Sequence, residues 1–538
     1  MPEVFNASSY LVDRQVAGGF GERTAVIGTA ESLSYAELAD EVARTAGALT
    51  ALGVRPEERV MLLMLDGPSM LAAILGAMRM GAVAVPVSTM LTGAELGGLL
   101  TDSRARVLLL SAELATAAAE AISVSPEVTH VIVEDAVKGD VPGGDAPGFV
   151  APRGGLQVLS WTDFRAGADA VPQYPTWEDS PALWLYTSGT TGKPKAAMHR
   201  HVNIKLVEQL YGQGVLGVTS EDRCLSVAKL FFAYGIGNSA FFPLAIGATT
   251  VLEPGRPTPA GIAARVVADQ PTLFFGVPTF YAALLGSDIA DDTFASVRQG
   301  VSAGEALPAE LFRRFRDRFG VEILDGIGST EALHIFLSNR AGAVVPGTSG
   351  FPVPGYDIAL REEATGELVR DGEPGSLYLR GSSLATGYWC RTETTRAVFQ
   401  GDWLRTGDTY VKEVDTGAYR CLGRSDDMIK AGGIWVSPTE VEARLLEHPS
   451  VAEVAVVGLA DTDGLDKPVA YVVAAAGHVV DAAELDSFCR TGLAAFKRPR
   501  KVIVVTEIPK TATGKLKRYL LRDQATQTPT PAPEGVAS

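Results

Sequence analysis

Thr187-Ser188-Gly189-Thr190-Thr191-Gly192-Lys193-Pro194-Lys195 decides how this chain is read. Its four hydroxyls, two glycines and two lysines follow directly on the apolar run Ala182-Leu183-Trp184-Leu185-Tyr186. Glycine lets the backbone bring N–H groups close to a ligand. Hydroxyls and successive amides can then surround an anion, with lysine as countercharge. The composition is that of a polyphosphate cradle or, taken alone, of a solvated turn. A Walker A loop would place Ser or Thr directly after its Lys and would open a helix. Here Pro194 follows Lys193, and Ala196-Ala197-Met198-His199 reads as a second short strand.

Around that loop, 538 residues are too many for a single core. With 46% hydrophobic and 20% charged residues, a large core forms without disorder or membrane burial. The net charge of −16 argues against nonspecific binding to nucleic acid or anionic membranes, while leaving room for a local phosphate site. Cys224, Cys390, Cys421 and Cys489 form no CxxC pair, so reduced buried thiols are expected rather than metal or redox use. Met1-Pro2-Glu3-Val4 opens no secretory signal, and no apolar run reaches about 18 residues. A cytoplasmic protein is the expectation.

In chain order, Ser34-Tyr35-Ala36-Glu37 is a capping box leading into the periodic Leu38, Val42, Ala46, Leu49. The run 60–65 reads as a buried strand, 69–80 as a helix, 82–85 as a strand, 94–101 as a helix and 107–110 as a strand. Such alternation predicts a parallel sheet covered on both faces. Residues 139–155 are Gly- and Pro-rich and read as an exposed loop. The α/β pattern resumes at Pro181, and from about Pro346 it yields to short runs of period two, a small β-rich subdomain. Its hairpin signal is Asp415-Thr416-Gly417 between Val411-Lys412-Glu413-Val414 and Ala418-Tyr419-Arg420-Cys421-Leu422. Ser437-Pro438-Thr439-Glu440 starts a helix in a second, α+β unit of about 100 residues. The tail from Gln524 is too polar to fold.

Five further stretches complete the reading: Asp325-Gly326-Ile327-Gly328-Ser329-Thr330-Glu331; Thr406-Gly407-Asp408 after Trp403; Gly423-Arg424-Ser425-Asp426-Asp427 continuing to Lys430-Ala431-Gly432-Gly433; Pro509-Lys510-Thr511-Ala512-Thr513-Gly514-Lys515; and Lys229-Leu230-Phe231-Phe232-Ala233-Tyr234. Each alone has a plain reading as a turn, a charged face or core aromatics. Together, and in this order from Thr187 to Lys515, they resemble the adenylate-forming superfamily of acyl-CoA ligases, luciferases and peptide-synthetase adenylation domains. One departure is Ile327, where the family usually has tyrosine.

The resemblance implies roles. Thr187, Ser188, Gly189, Thr190, Thr191, Gly192 and Lys193 would hold the ATP phosphates. Thr330 would touch the α-phosphate, and Glu331 would hold Mg²⁺, a hard cation suited to carboxylate oxygen. Ser302, Gly304, Glu305, Asp325, Gly326 and Ile327 would complete the nucleotide site. Asp408 would accept from the ribose hydroxyls, with Arg424 beside the ribose and phosphates. Asp426 would be the hinge, and Lys430, Gly432 and Gly433 would border coenzyme A after the smaller domain turns. Lys515 would bridge the substrate carboxylate and the α-phosphate.

Phe231-Phe232-Ala233-Tyr234, with Gly328-Ser329-Thr330-Glu331-Ala332-Leu333-His334-Ile335, is similar to benzoate-CoA ligases. By that analogy Ala233, Tyr234, Gly328, His334 and Ile335 line a flat slot for an aryl ring. Tyr234 and Phe231 as core aromatics, and His334 as a satisfied core histidine, are the bland alternatives. No acidic residue near Ala233 offers to hold an α-amino group, against a peptide-synthetase domain.

The expected architecture is therefore α/β: a large N-terminal domain of α/β sheets plus a small β-rich subdomain over 1–423, a hinge at 424–426, a smaller mobile α+β lid over 427–523 and a disordered tail over 524–538. The expected activity is an ATP-, Mg²⁺- and coenzyme A-dependent ligation of benzoate or a substituted benzoate. A ligase for cinnamate-like, cyclic or medium-chain acids, a non-CoA adenylate former and a non-catalytic nucleotide binder stand as rivals. The partners expected are small molecules, with a homodimer admitted and a lysine acyltransferase and deacylase acting on Lys515; neither nucleic acid nor membrane is expected.

Overall fold

The computed structural model describes residues 3–134, 149, 151–166, 168–188, 194–424, 427–431, 434–460, 466–510, 516–518 and 520–522. Its first large sheet has seven strands in the spatial order Gln157–Ser160, His130–Glu134, Val107–Ser111, Arg59–Leu63, Val83–Pro86, Pro181–Ser188 and Pro194–Arg200. All neighbours are parallel except the last pair. The strands are short apolar runs, as burial on both faces requires: Arg59–Leu63 is buried from Val60 onward, and Val107–Ser111 throughout.

The second sheet has nine strands. Gln299–Ser302, Leu273–Gly276, Arg223–Ser226, Thr249–Val251 and Thr24–Ile27 form its parallel centre, flanked on one side by Ile323–Gly328. Antiparallel strands Ile335–Ser338 and Phe351–Pro352 close that edge, and Ser32–Ser34 the other.

Helix Tyr35–Ala51 begins on the expected capping box: the Glu37 amide donates to Ser34 Oγ at 3.2 Å, and the Ser34 amide to Glu37 Oε2 at 2.7 Å. Helix Pro68–Arg79 buries every residue from Met70 to Arg79. One core explains this, because residues of both sheets, among them Leu62, Ala84, Val26 and Leu273, share it with these two helices. A helix enclosed on all sides has no polar face to show.

Strands Tyr356–Arg361, Pro374–Gly381, Phe399–Gln400, Trp403–Lys412 and Tyr419–Arg424 form the β-rich subdomain, and the hairpin turns at 415–417 as its sequence predicts. An isolated bridge, Ala197 to Tyr388, ties the segment beside it to the seven-stranded sheet. Beyond Arg424, Val451–Ala460, Asp466–Ala474 and Lys501–Val504 form a three-stranded sheet. Helices Pro438–Leu446 and Ala482–Gly492 close its own core around Val441, Val456, Val472 and Leu485.

Two expectations change. The thiols are free, yet Cys390 is exposed, with a positive φ of 48° in the turn after Trp389. Of the loop over 139–155 only residues 149 and 151–155 are described: 151–155 are mostly exposed as expected, but Phe149 is buried against the core of the first sheet. The tail over 524–538 also lies outside the described residues. Among the described residues no helix is long and apolar enough to cross a membrane.

Candidate functional site

Strands Pro181–Ser188 and Pro194–Arg200 pair antiparallel with Thr187 opposite Lys195 and Ser188 opposite Pro194. The connecting residues Gly189, Thr190, Thr191, Gly192 and Lys193 lie outside the described residues, so the hairpin ends fix where the cradle is attached. Just inside that end, the Lys195 ammonium lies 3.9 Å from the centroid of the Tyr388 ring. Tyr388 in turn donates its hydroxyl to Glu331 Oε1 at 2.5 Å. Burial lowers the Lys195 pKa while the Glu331 charge opposes the change. Burial, then the Glu331 carboxylate, drives the Tyr388 phenol far above its ordinary range, keeping it a donor.

Thr330 and Glu331 sit at the tip of a hairpin between Ile323–Gly328 and Ile335–Ser338. The chain turns back through Leu333, buried and at φ 68°, a left-handed conformation that a leucine adopts only under constraint. Two struts hold the tip. The Ala385 amide donates to the Glu331 carbonyl at 2.8 Å. His199 Nε2 donates to the Thr330 carbonyl at 2.8 Å, and Asn203 Nδ2 fixes that tautomer by donating to His199 Nδ1 at 3.1 Å. Burial lowers the His199 pKa to about 4, so the strut is a neutral imidazole at pH 7.

Asp325 and Ser302 are register partners on adjacent parallel strands, both buried. Asp325 Oδ2 accepts from the Leu307 amide at 3.2 Å, and the Ser302 hydroxyl and the Gly326 amide face the same carboxyl, although Asp325 Oδ1 and Ser302 Oγ fall short of hydrogen-bond geometry. Buried polar atoms left unpaired mark a place where a ligand or water completes the set. Burial pushes the Asp325 carboxyl up to about 8. Gly304 has φ 98° in the following loop, and the next residue, Glu305, accepts from the Leu516 amide at 2.9 Å. The chain position immediately after Lys515 is thereby held against the larger domain; Lys515 itself lies outside the described residues. Gly326 is a close-approach glycine, since a Cβ there would stand 2.7 Å from the Leu337 carbonyl oxygen. Ile327 beside it is half-buried.

Asp408 follows Gly407, whose φ of 78° forms the turn, and its amide donates to Thr406 Oγ1 at 3.2 Å. Its carboxylate accepts from Arg424 Nη1 at 3.0 Å across the strand pair. Asp426, Gly432 and Gly433 are outside the described residues; Lys430 lies in the strand Ile429–Ala431.

Ala233 and Tyr234 open the short helix Ala233–Ile236. Tyr234 donates its hydroxyl toward the carbonyls of Gly276 (3.2 Å) and Val301 (3.1 Å). Its ring lies 5.6 Å from that of His334, which also packs on Tyr211 at 5.2 Å and edge-on to Phe242 at 4.6 Å. His334 Nε2 donates to Asn238 Oδ1 at 3.1 Å, and the Tyr234 backbone also faces the ring, with Nδ1 short of hydrogen-bond geometry. Burial lowers its pKa to about 3. Gly328 stands opposite Ile335, and a Cβ on it would be 2.6 Å from the His334 carbonyl oxygen. Tyr234 and His334 thus pack ring against ring, Gly328 and Ile335 are partners on the hairpin that carries His334, and Ala233 precedes Tyr234 in its helix.

The AMP-binding enzyme profile matches residues 13–389, and the AMP-binding enzyme C-terminal domain matches 440–515. The chain belongs to the AMP-binding enzyme family. It is 44% identical to a benzoate–CoA ligase of Thauera aromatica, over 97% of this chain and 96% of that relative. It superposes on a benzoate CoA ligase from Burkholderia xenovorans LB400 with a TM-score of 0.87 and 43% identity, covering 96% of this chain and 100% of the other. The anthranilate CoA ligase AuaEII, solved with anthranoyl-AMP, gives a TM-score of 0.89 at 37% identity, with 98% of each chain covered.

Within this AMP-binding enzyme, Mg²⁺ fits the donor set at Glu331. No group of three or more His, Cys, Asp or Glu gathers for a metal among the described residues, but Mg²⁺ keeps its waters and takes one or two carboxylates plus substrate phosphates. Tyr388 occupies one oxygen of Glu331 and leaves the second for such a cation.

The supports His199, Asn203 and Tyr388 are not among the residues that the sequence singles out for a role, whereas Lys195 is one of the two lysines read as countercharge in the opening stretch. Tyr388-Trp389 after Gly387 is an aromatic pair beside a glycine. His199 reads only as part of a strand, because its partner Thr330 is 131 positions away.

Proposed function

We propose that this AMP-binding enzyme is an ATP-dependent acid–CoA ligase acting on an aromatic carboxylate, benzoate or a substituted benzoate. A carboxylate oxygen attacks the α-phosphorus of ATP, pyrophosphate leaves, and an acyl-adenylate forms. The coenzyme A thiol, its proton lost, then adds to the acyl carbon and AMP departs with the electron pair of the acyl–oxygen bond.

The first step brings an anion to an anion, so fixed cations and donors must face the charge that accumulates. Lys515 bridges the carboxylate and the α-phosphate, Thr330 contacts that phosphate, and the 187–193 hairpin grips the phosphates beyond it. Glu331 would hold Mg²⁺, which would supply countercharge to the leaving pyrophosphate. Asp325 and Ser302 receive the base, with Gly304, Glu305, Gly326 and Ile327 shaping the approach, and Asp408 and Arg424 receive the ribose. Lys515 must withdraw before the thiol enters, which assigns 424–426 as the pivot between a body over 1–423 and a lid over 427–523. Lys430, Gly432 and Gly433 then border the pantetheine.

The observation that carries the aromatic reading is the meeting of Tyr234 and His334 with the side-chain-poor Ala233 and Gly328. Apolar flat walls with few convergent polar groups suit a planar ring. A panel of aryl and alkyl acids, assayed for AMP release with and without coenzyme A, tests this; turnover of alkyl acids alone removes the aromatic assignment. Cytoplasmic work fits an enzyme consuming ATP and coenzyme A. Acylation of Lys515 would abolish its charge and silence adenylation reversibly, and a homodimer is the assembly to test by light scattering.

A further inference from the structure

Asp66 lies in the turn between strand Arg59–Leu63 and helix Pro68–Arg79, 5% exposed. Both of its carboxylate oxygens face the Leu230 amide, at 3.2 and 3.1 Å. Leu230 lies in the turn that follows strand Arg223–Ser226 of the other large sheet. The neighbouring Lys229 donates its ammonium to the Glu253 carbonyl, past the end of Thr249–Val251, and its charge faces Asp66. Burial pushes the Asp66 carboxyl up to about 7, with Lys229 pulling the other way. Three strand ends from two sheets are clipped together here.

What the clip holds is the turn that carries Ala233 and Tyr234. The Phe232 amide donates to the Lys229 carbonyl at 3.0 Å, and the Ile236 amide to the Phe232 carbonyl at 2.8 Å. Gly235 is pressed onto the same turn, where a Cβ would stand 2.0 Å from the Lys229 carbonyl oxygen. Ala233 and Tyr234 sit between these contacts, so their depth is set by where Leu230 is anchored.

We propose that Asp66 is a positioning residue for acyl selectivity, fixing the depth of the Ala233–Tyr234 wall through the Leu230 amide without touching the substrate. A buried N–H must be paired. Without the Asp66 oxygens the Leu230 amide shifts to find an acceptor, and the turn bearing Ala233 moves with it. This proposal rests on Ala233 and Tyr234 lining the acyl site.

The experiment compares full-length Asp66→Ala, Asp66→Asn and Ala233→Val with the parent enzyme on benzoate and ring-substituted benzoates. Asp66→Ala is expected to raise KM for benzoate about tenfold, to leave KM for ATP within about twofold and to narrow the discrimination between ring substituents. Asn keeps an acceptor oxygen for the Leu230 amide, so Asp66→Asn restores both quantities to within about twofold. Should Asp66→Ala be insoluble, Asp66→Ser, whose hydroxyl stops short of that amide, gives the same reading. Equal losses in the Ala and Asn variants, or unchanged selectivity in Asp66→Ala while Ala233→Val shifts it, overturn the proposal. Selectivity untouched by Ala233→Val instead removes the acyl-site reading beneath it.

Discussion

Tyr388 holds the Glu331 carboxylate by a hydrogen bond of 2.5 Å, and the Lys195 ammonium lies over the same ring. The carboxylate is therefore aimed before any cation arrives. Supports of this kind are worth about 10–100-fold in metal affinity or activity. Tyr388→Phe is expected to slow ATP–pyrophosphate exchange about tenfold and to raise the Mg²⁺ concentration needed for half-maximal rate. Manganese resonance spectra taken with a non-hydrolysable ATP analogue give the affinity directly. Identical Mg²⁺ and Mn²⁺ titrations in both proteins would dismiss the support.

The Leu516 amide on Glu305 carries a second prediction. Lys515→Ala should lower acyl-adenylate formation by about 100-fold or more, the scale of one lost donor at a charge-bearing centre. Thioester formation from supplied acyl-adenylate should stay close to the parent rate. Equal damage to the two half-reactions, measured by rapid quench, contradicts a role confined to the first.

A pivot at 424–426 makes the converse demand. Proline fixes φ and so restricts the rotation. Asp426→Pro should retain adenylation within about threefold and slow thioester formation more than tenfold. A thioester rate equal to the parent's argues against a turning lid.

Stability should carry the mark of buried imidazoles. His201 is fully buried, accepts from the Ala7 amide at 3.1 Å and is lowered by burial to about 3, beside His199 at about 4 and His334 at about 3. A folded pKa below the ordinary 6.5 means that the stability from keeping these rings neutral is complete above pH 6.5. It is lost as pH falls toward the folded values, by about 1.4 kcal/mol per pH unit for each ring. Asp66 and Asp325, raised to about 7 and about 8, act in the opposite sense: their contribution is complete below about pH 4 and fades as pH rises through those values. Comparing variants isolates one ring. His201→Gln keeps an acceptor for Ala7, so its deficit against the parent in thermal melts should shrink between pH 6.5 and 5; a constant deficit rejects protonation of His201.

Much of this molecule was legible in its sequence because the signals are local. The capping box at Ser34 and the cap at Ser437 start helices where read, and the Asp415-Thr416-Gly417 turn closes a hairpin. The strand after Pro194 follows from its apolar run, and so does the contrast with a helix-opening phosphate loop. Strand order was not legible, since Val83–Pro86 pairs with Pro181–Ser188 across about a hundred residues, and nothing local to either encodes the other. The same distance hides the struts. His199 supports Thr330 and Tyr388 supports Glu331 through tertiary contacts alone, so histidine or tyrosine in a strand-like run carries no sign of the duty. Asp66 is hidden likewise, its partner 164 positions away.

The ion pair of Arg424 with Asp408 has a consequence for how a nucleotide enters. Arg424 Nη1 takes Asp408 Oδ1 at 3.0 Å, so under the proposed ribose role a sugar hydroxyl would share or contest that oxygen with a guanidinium carried by the last strand residue before 425–426. That arginine stands where the described chain ends before residues 425–426. Under the proposed roles, an occupied ribose seat would be felt first at the Arg424 side chain, the last described residue before that connector.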